Sequence, residues 1–183
     1  EMENTVNALI GAAFGSSGER CMAISVAVAV GSETADNLIT GLNSKMSDLK
    51  VGNFDNNKND FGPLITKDHM DKVKEYITSA EAQGADIVVD GRSVNVKGCE
   101  NGFYVGGTLI DSVKASMKSY KEEIFGPVLQ VVRVDTMQQA IDLIDEHEYG
   151  NGTCIFTRDG EAARYFSDQI KVGMVGITVP LPV

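Results

Sequence analysis

The apolar residues of this chain switch repeatedly between helical and strand spacing, and each switch predicts an element. From Glu3 to about Phe14, Val6, Leu9, Ile10 and Ala13 recur at helical spacing, with Glu1 and Glu3 near the positive end of the helix dipole. The helix should stop at Gly15. "AISVAVAV" follows, β-rich and apolar on both faces, as expected of a central parallel strand covered by helices on both sides. Ser32 reads as the N-cap of a helix from about Glu33 to Met46, with the stripe Ala35, Leu38, Ile39 and Leu42. Residues 51–66 are rich in Asn, Asp and Gly without periodicity, so they predict an irregular surface loop.

After Thr66 the stripe Met70, Val73, Ile77 and Ala80 marks another helix, stopped at Gly84, and "ADIVVDG" a short strand. Residues 91–108 read as a turn-rich excursion, with "GFYVGGTLI" as a strand candidate. "PVLQVVRVD" is a clearer strand. Thr136 with Gln139 three residues on forms a capping-box pattern that opens the next helix. "GTCIFT", a helix over 160–169 and "VGMVGIT" complete the chain. Strands alternating with helices define an α/β fold of three layers, αβα, on a mostly parallel sheet, with no linker dividing it.

Composition narrows the picture. A length of 183 residues suits one core, and a net charge of -10, from 16 basic and 26 acidic side chains, argues against a nucleic-acid footprint, which needs a basic stripe. No apolar run reaches the roughly 20 residues of a membrane span, and no signal-like segment opens the chain, so a cytoplasmic or mitochondrial-matrix location is expected. Cys21, Cys99 and Cys154 form no C-x-x-C pair and are expected to be free thiols, with no disulfide scaffold and no metal site. The helical start and the end at "VPLPV" fit a piece of a longer chain.

Two stretches carry chemistry. In "GSSGERCMA", Cys21 stands beside Arg20 after a glycine-rich turn, and a guanidinium favours the thiolate that acts as a nucleophile. Gly15 and Gly18 would let backbone amides approach a reacting oxygen. By itself the cysteine fits a small buried hydrophobe at a strand entrance better. In "KEEIFGPVLQVV", adjacent Glu122 and Glu123 point to opposite sides of an extended segment, so one of them can face a cleft together with Phe125. Such a pair can hold sugar hydroxyls and flank a flat ring; without context it also fits a solvated acidic turn.

Taken in order, "FGSSGERC", "FGPLIT", "EEIFGPV", "YGNGTCIFT" and "GMVGITVPLPV" resemble the catalytic domain of the NAD-dependent aldehyde dehydrogenases over essentially the whole chain. Within them, "GERCMA", "YGNGTCIFT" and "VPLPV" are similar to the methylmalonate-semialdehyde dehydrogenase branch, which acylates coenzyme A. The resemblance implies Cys21 as nucleophile, Glu123 on the nicotinamide ribose, Phe125 beside the nicotinamide and Arg20 on the carboxylate of a small semialdehyde. It implies NAD as cofactor, coenzyme A as co-substrate and a homo-oligomeric parent, dimer or tetramer. It also implies that the cofactor domain, the oxyanion asparagine and the oligomerisation strand lie outside residues 1–183, leaving this piece by itself close to inactive. A non-acylating dehydrogenase of another semialdehyde, and a non-catalytic domain that kept the fold, remain open.

Two residues depart from the family pattern. Glu19 replaces the usual Gln, placing a negative charge near the thiol unless it turns outward, and Thr178 replaces a common Asn. His69 and His147, at a helix start and a helix end, read as structural, the second as a cation suited to the dipole. The acidic cluster from Asp142 to Glu148 reads as solvated surface, Cys99 as passive and Cys154 as core.

Overall fold

Helical stripes need a surface to cover, and strands apolar on both faces need covering twice; three layers satisfy both requirements. The computed structural model describes residues 2–182, so Glu1 lies outside the described residues. In chain order the elements are α1 (Met2–Phe14), a 3₁₀ turn (Gly15–Gly18), β1 (Val26–Val30), α2 (Ser32–Met46), α3 (Lys67–Ala82), β2 (Asp86–Val89), β3 (Thr108–Asp111), α4 (Lys118–Lys121), β4 (Val128–Val134), α5 (Met137–Asp145), β5 (Thr153–Ile155), α6 (Gly160–Gln169) and β6 (Val175–Ile177).

The main sheet has the order β1-β4-β3-β2. β1, β4 and β3 run parallel, and β2 adds an antiparallel edge. Period-2 alternation sorts β4 between the layers. Leu129 and Val131 join Ala27, Ala29 and Leu109 beneath α1 and α2, which contribute Val6, Leu9, Phe14, Leu38 and Leu42. Val128 and Val132 join Ile110 beneath α3, which contributes Val73, Tyr76 and Ile77. A third small core of Ile141, Phe166 and Ile170 packs α5 on α6.

Four expectations change. β1 lies at the edge of the main sheet rather than at its centre. Only its Ala27 and Ala29 face is buried; on the other face Val26 and Val28 are half-buried and Val30 is exposed, as befits an edge position. β5 and β6 form a separate two-stranded parallel sheet instead of continuing the first. Gly31, at φ 88°, is the N-cap of α2, and Ser32 is already helical and makes no capping bond. Of "GFYVGGTLI" only the end is strand; the Gly106 N–H bonds Gly91 O across the excursion instead. The helices after Thr66 and Thr136 begin where expected, and the second carries the full capping box. Among the described residues, no helix is long and apolar enough to cross a membrane.

Candidate active site

The Cys21 loop is built from the end of α1 outward. Phe14 is buried and stacks on Phe61 at 6.5 Å between ring centroids, anchoring the helix end. The chain then turns through three left-handed residues, Ser16, Ser17 and Gly18. The Ser17 hydroxyl donates to Gly62 O at 2.8 Å, which pins the turn to the 51–66 loop. Beyond the turn, Ile24 N–H donates to Ala12 O at 3.1 Å, so residues 19–23 form a short protrusion closed on α1. Cys21 is exposed on it, which sets aside its reading as a buried hydrophobe.

The second segment comes from the other side of the sheet. After α4, Glu122 is extended and its carboxylate accepts the Tyr76 hydroxyl at 2.7 Å. Tyr76 is fully buried, and burial together with this carboxylate pushes its hydroxyl up to about 12. Alternation then leaves Glu123 on the opposite side, exposed to solvent. Phe125 follows in a left-handed conformation, φ 55°, with its ring partly exposed. The exposed carboxylate can accept hydrogen bonds from hydroxyl groups and the exposed ring can flank a flat ligand.

A backbone-to-backbone contact joins the two segments. Gly18 lies so close to Gly126 that a Cβ added to it would sit 2.2 Å from Gly126 O. On its far side, a Cβ on Gly126 would strike Val73 of α3 at 2.8 Å. Both positions therefore need glycine for close approach. Gly15 serves differently: the Arg20 guanidinium lies against it, where an added Cβ would be 2.8 Å from Nη1. Arg20 Nε donates to Ser16 Oγ at 3.2 Å. The guanidinium thus folds back along α1, on the wall of a groove of ≈ 490 Å³ between Ala8, Gly11 and Ala12 and the Pro180–Pro182 segment.

Three side chains unnoticed as functional in the sequence support this arrangement. Asn151 Nδ2 donates to Cys21 O at 2.9 Å and contacts Met22 Sδ at the same distance. Tyr76 occupies Glu122, as above. His69 Nε2 lies 2.7 Å from Phe125 O and 3.7 Å from the Glu19 carboxylate. Glu19 therefore turns inward: burial raises its carboxyl, while His69 and the Ile65 N–H pull the other way. None of these contacts could be read from the sequence, because they span separations such as 130 residues.

The remaining thiols and histidines are now placed. Cys154 is half-buried in β5, and burial pushes its thiol up to about 11. Cys99 lies beside the Tyr104 hydroxyl, which burial and this thiol together push up. His147 Nδ1 lies 3.1 Å from the Tyr149 N–H and Nε2 3.0 Å from Tyr120 O, so the ring ties the end of α5 to the segment after α4. Asp145 is not simply solvated, since its carboxylate accepts the Lys171 N–H at 2.9 Å beyond α6.

An exposed thiol on a loop packed against a carboxylate–aromatic segment, carried by a three-layer α/β fold, makes this a thiol-presenting α/β domain. Residues 1–182 match the model of the aldehyde dehydrogenase family, and the chain belongs to that family. It is 60% identical over 183 residues to the malonate-semialdehyde dehydrogenase of Pseudomonas aeruginosa, covering 100% of this chain and 37% of that protein. The acylating methylmalonate-semialdehyde/malonate-semialdehyde dehydrogenase of Bos taurus mitochondria is 49% identical over 97% of this chain, which covers 33% of it. The crystal structure of methylmalonate-semialdehyde dehydrogenase from Oceanimonas doudoroffii superposes with a TM-score of 0.98 at 69% identity, over 100% of this chain and 38% of that one. The chain thus spans about a third of the length of these relatives.

Proposed function

We propose that residues 1–183 are the thiol-bearing catalytic domain of a longer enzyme that oxidises malonate or methylmalonate semialdehyde with NAD and passes the acyl group to coenzyme A. The observation that carries this reading is the exposed Cys21 on a loop held against the Glu123–Phe125 segment through Gly18 and Gly126. Identity to semialdehyde dehydrogenases supports the substrate class, and a relative assigned as a methylmalonate-semialdehyde dehydrogenase from Sinorhizobium meliloti, crystallised with NAD, supports the cofactor.

The chain's own residues fall into distinct roles. Cys21 Sγ, as thiolate, attacks the aldehyde carbon, and the carbonyl oxygen takes up the negative charge of a thiohemiacetal. Loss of hydride from that carbon leaves a thioester on Cys21, and a second thiolate, that of coenzyme A, displaces Cys21 from it. NAD, when bound, supplies the hydride acceptor. Glu123 accepts ribose hydroxyls and Phe125 packs beside the nicotinamide, which orients that acceptor. Arg20 uses Nε on Ser16 and keeps its terminal nitrogens for the substrate carboxylate, a planar match. Relatives in bacteria and in mitochondria support a cytoplasmic or matrix setting, and the family resemblance supports a homo-oligomeric parent.

The test is NADH formation from malonate semialdehyde by the full-length protein containing this chain, with and without coenzyme A. Cys21→Ser is expected to abolish it, lowering kcat by about a thousandfold or more, while the 183-residue chain alone stays inactive. NADH formation that ignores coenzyme A would mark a non-acylating enzyme, and full turnover by Cys21→Ser would remove the thiol from its role.

A further inference from the structure

We propose that His69 is a positioning residue, a clamp that holds the nucleophile loop and the nicotinamide-side segment in register; the kinetic consequences drawn from this rest on the function proposed above. Nothing in the chemistry of thioester formation requires an imidazole here, yet the ring stands where the two segments meet. Its Nε2 is 2.7 Å from Phe125 O, and a carbonyl only accepts, so the Nε2 proton is given to Phe125. The same atom faces Glu19 Oε1 at 3.7 Å, two residues before Cys21. The Glu19 side chain is only 10% exposed and also takes the Ile65 N–H. One ring thus touches both halves of the site.

Two features show that the clamp holds something that would otherwise relax. Phe125 is left-handed, φ 55°, a conformation that a bulky residue keeps only when its surroundings overdetermine it. The bond from His69 lands on that residue's own carbonyl and so fixes the peptide plane that follows it. The base of the clamp is itself rigid: Thr66 caps α3, and the His69 N–H donates to Thr66 Oγ1 at 3.2 Å, which sets the direction in which the imidazole leaves the helix. Across the joint, Gly18 and Gly126 are in backbone contact, so a small rotation at Phe125 cannot be absorbed locally and moves the Cys21 loop as well. With the clamp made, the Phe125 ring keeps the orientation in which it can lie beside the nicotinamide.

The experiment compares His69→Ala with His69→Gln in the full-length enzyme, since glutamine keeps an N–H donor at similar reach. His69→Ala is expected to raise KM for NAD by about tenfold while KM for the semialdehyde stays within about twofold, and His69→Gln to restore most of the loss. Hydrogen–deuterium exchange should show faster uptake over residues 122–127 in His69→Ala, reversed in His69→Gln. Equal rises in both KM values, an unchanged KM for NAD, or a glutamine variant no better than alanine would each overturn the proposal. Should the wild-type enzyme form no NADH, the function proposed above fails; the exchange comparison then decides the clamp alone, standing if uptake rises and reverses, and overturned if it does not.

Discussion

Single residues at this site are constrained by what occupies the space beside them. Gly15 and Gly18 read alike in the sequence, as aids to amide approach, yet they meet different neighbours: a flexible guanidinium at Gly15 and a backbone carbonyl at Gly18. A Cβ at Gly15 need only push Arg20 aside, so Gly15→Ala is expected to leave thermal stability within about 0.5 kcal/mol of wild type while raising KM for the semialdehyde several-fold through the displaced cation. Matched melting and steady-state measurements check both halves. Thr178 departs from the family's Asn, and the structure gives the departure a physical meaning. It sits at φ 58°, a left-handed conformation that a β-branched side chain tolerates poorly and asparagine adopts more readily. Thr178→Asn should therefore stabilise the fold by about 0.5–1 kcal/mol, read as a rise in the urea midpoint at unchanged slope.

At the scale of elements, the site is a joint between pieces that are distant in sequence. α1 and its turn bring Cys21, α4 and the following segment bring Glu123 and Phe125, and α3 touches both through His69, Tyr76 and Val73. The residues before β5 add the last tie, from Asn151 to the Cys21 carbonyl. Asn151→Asp keeps the shape but replaces the donor with an acceptor facing that carbonyl. It should lower turnover by about tenfold or more and broaden the selectivity of iodoacetamide for Cys21 over Cys99 and Cys154; Asn151→Asp with wild-type turnover would show that this bond does not position the thiol. The starts of α3 and α5 were legible because capping is local, with Thr66 and Thr136 both found as N-caps, whereas at α2 Gly31 takes the cap in place of Ser32. The lateral place of β1 was not legible, since a strand's neighbours are chosen by chain crossings that no local pattern records.

At the scale of the molecule, an ionic network ties α2 to the main sheet. Arg133 on β4 bonds Asp111 on β3 at 2.7 Å and Asp36 on α2 at 2.7 Å. Burial alone would raise the Asp111 carboxyl, but the Arg133 guanidinium and the Ser112 N–H outweigh it and hold it below the usual carboxylate range. A carboxylate depressed in the folded state contributes stability above its unfolded pKa, near 4, and that contribution is lost as pH falls through the folded value. Asp111→Asn should thus cost about 1–3 kcal/mol at neutral pH, and its gap from wild type should shrink as pH is lowered below about 4. Urea unfolding of both proteins across that range measures the gap; a pH-independent difference would show that the pair is not what Asp111 contributes.

Periodicity, capping residues and short motifs are local properties, and they carry the α/β class, most helix and strand positions and the candidates Cys21, Arg20, Phe125 and one of Glu122 and Glu123; the family resemblance added the choice of Glu123. Only the tertiary structure decided that Cys21 is exposed, that Glu122 is taken by Tyr76 so that Glu123 stays free, that Glu19 turns toward His69, and that β5 and β6 stand apart from the main sheet. The physical reason is range. A helix or a cap is settled within a few residues, whereas a hydrogen bond between residues 130 apart exists only once the packed layers have brought its two ends together.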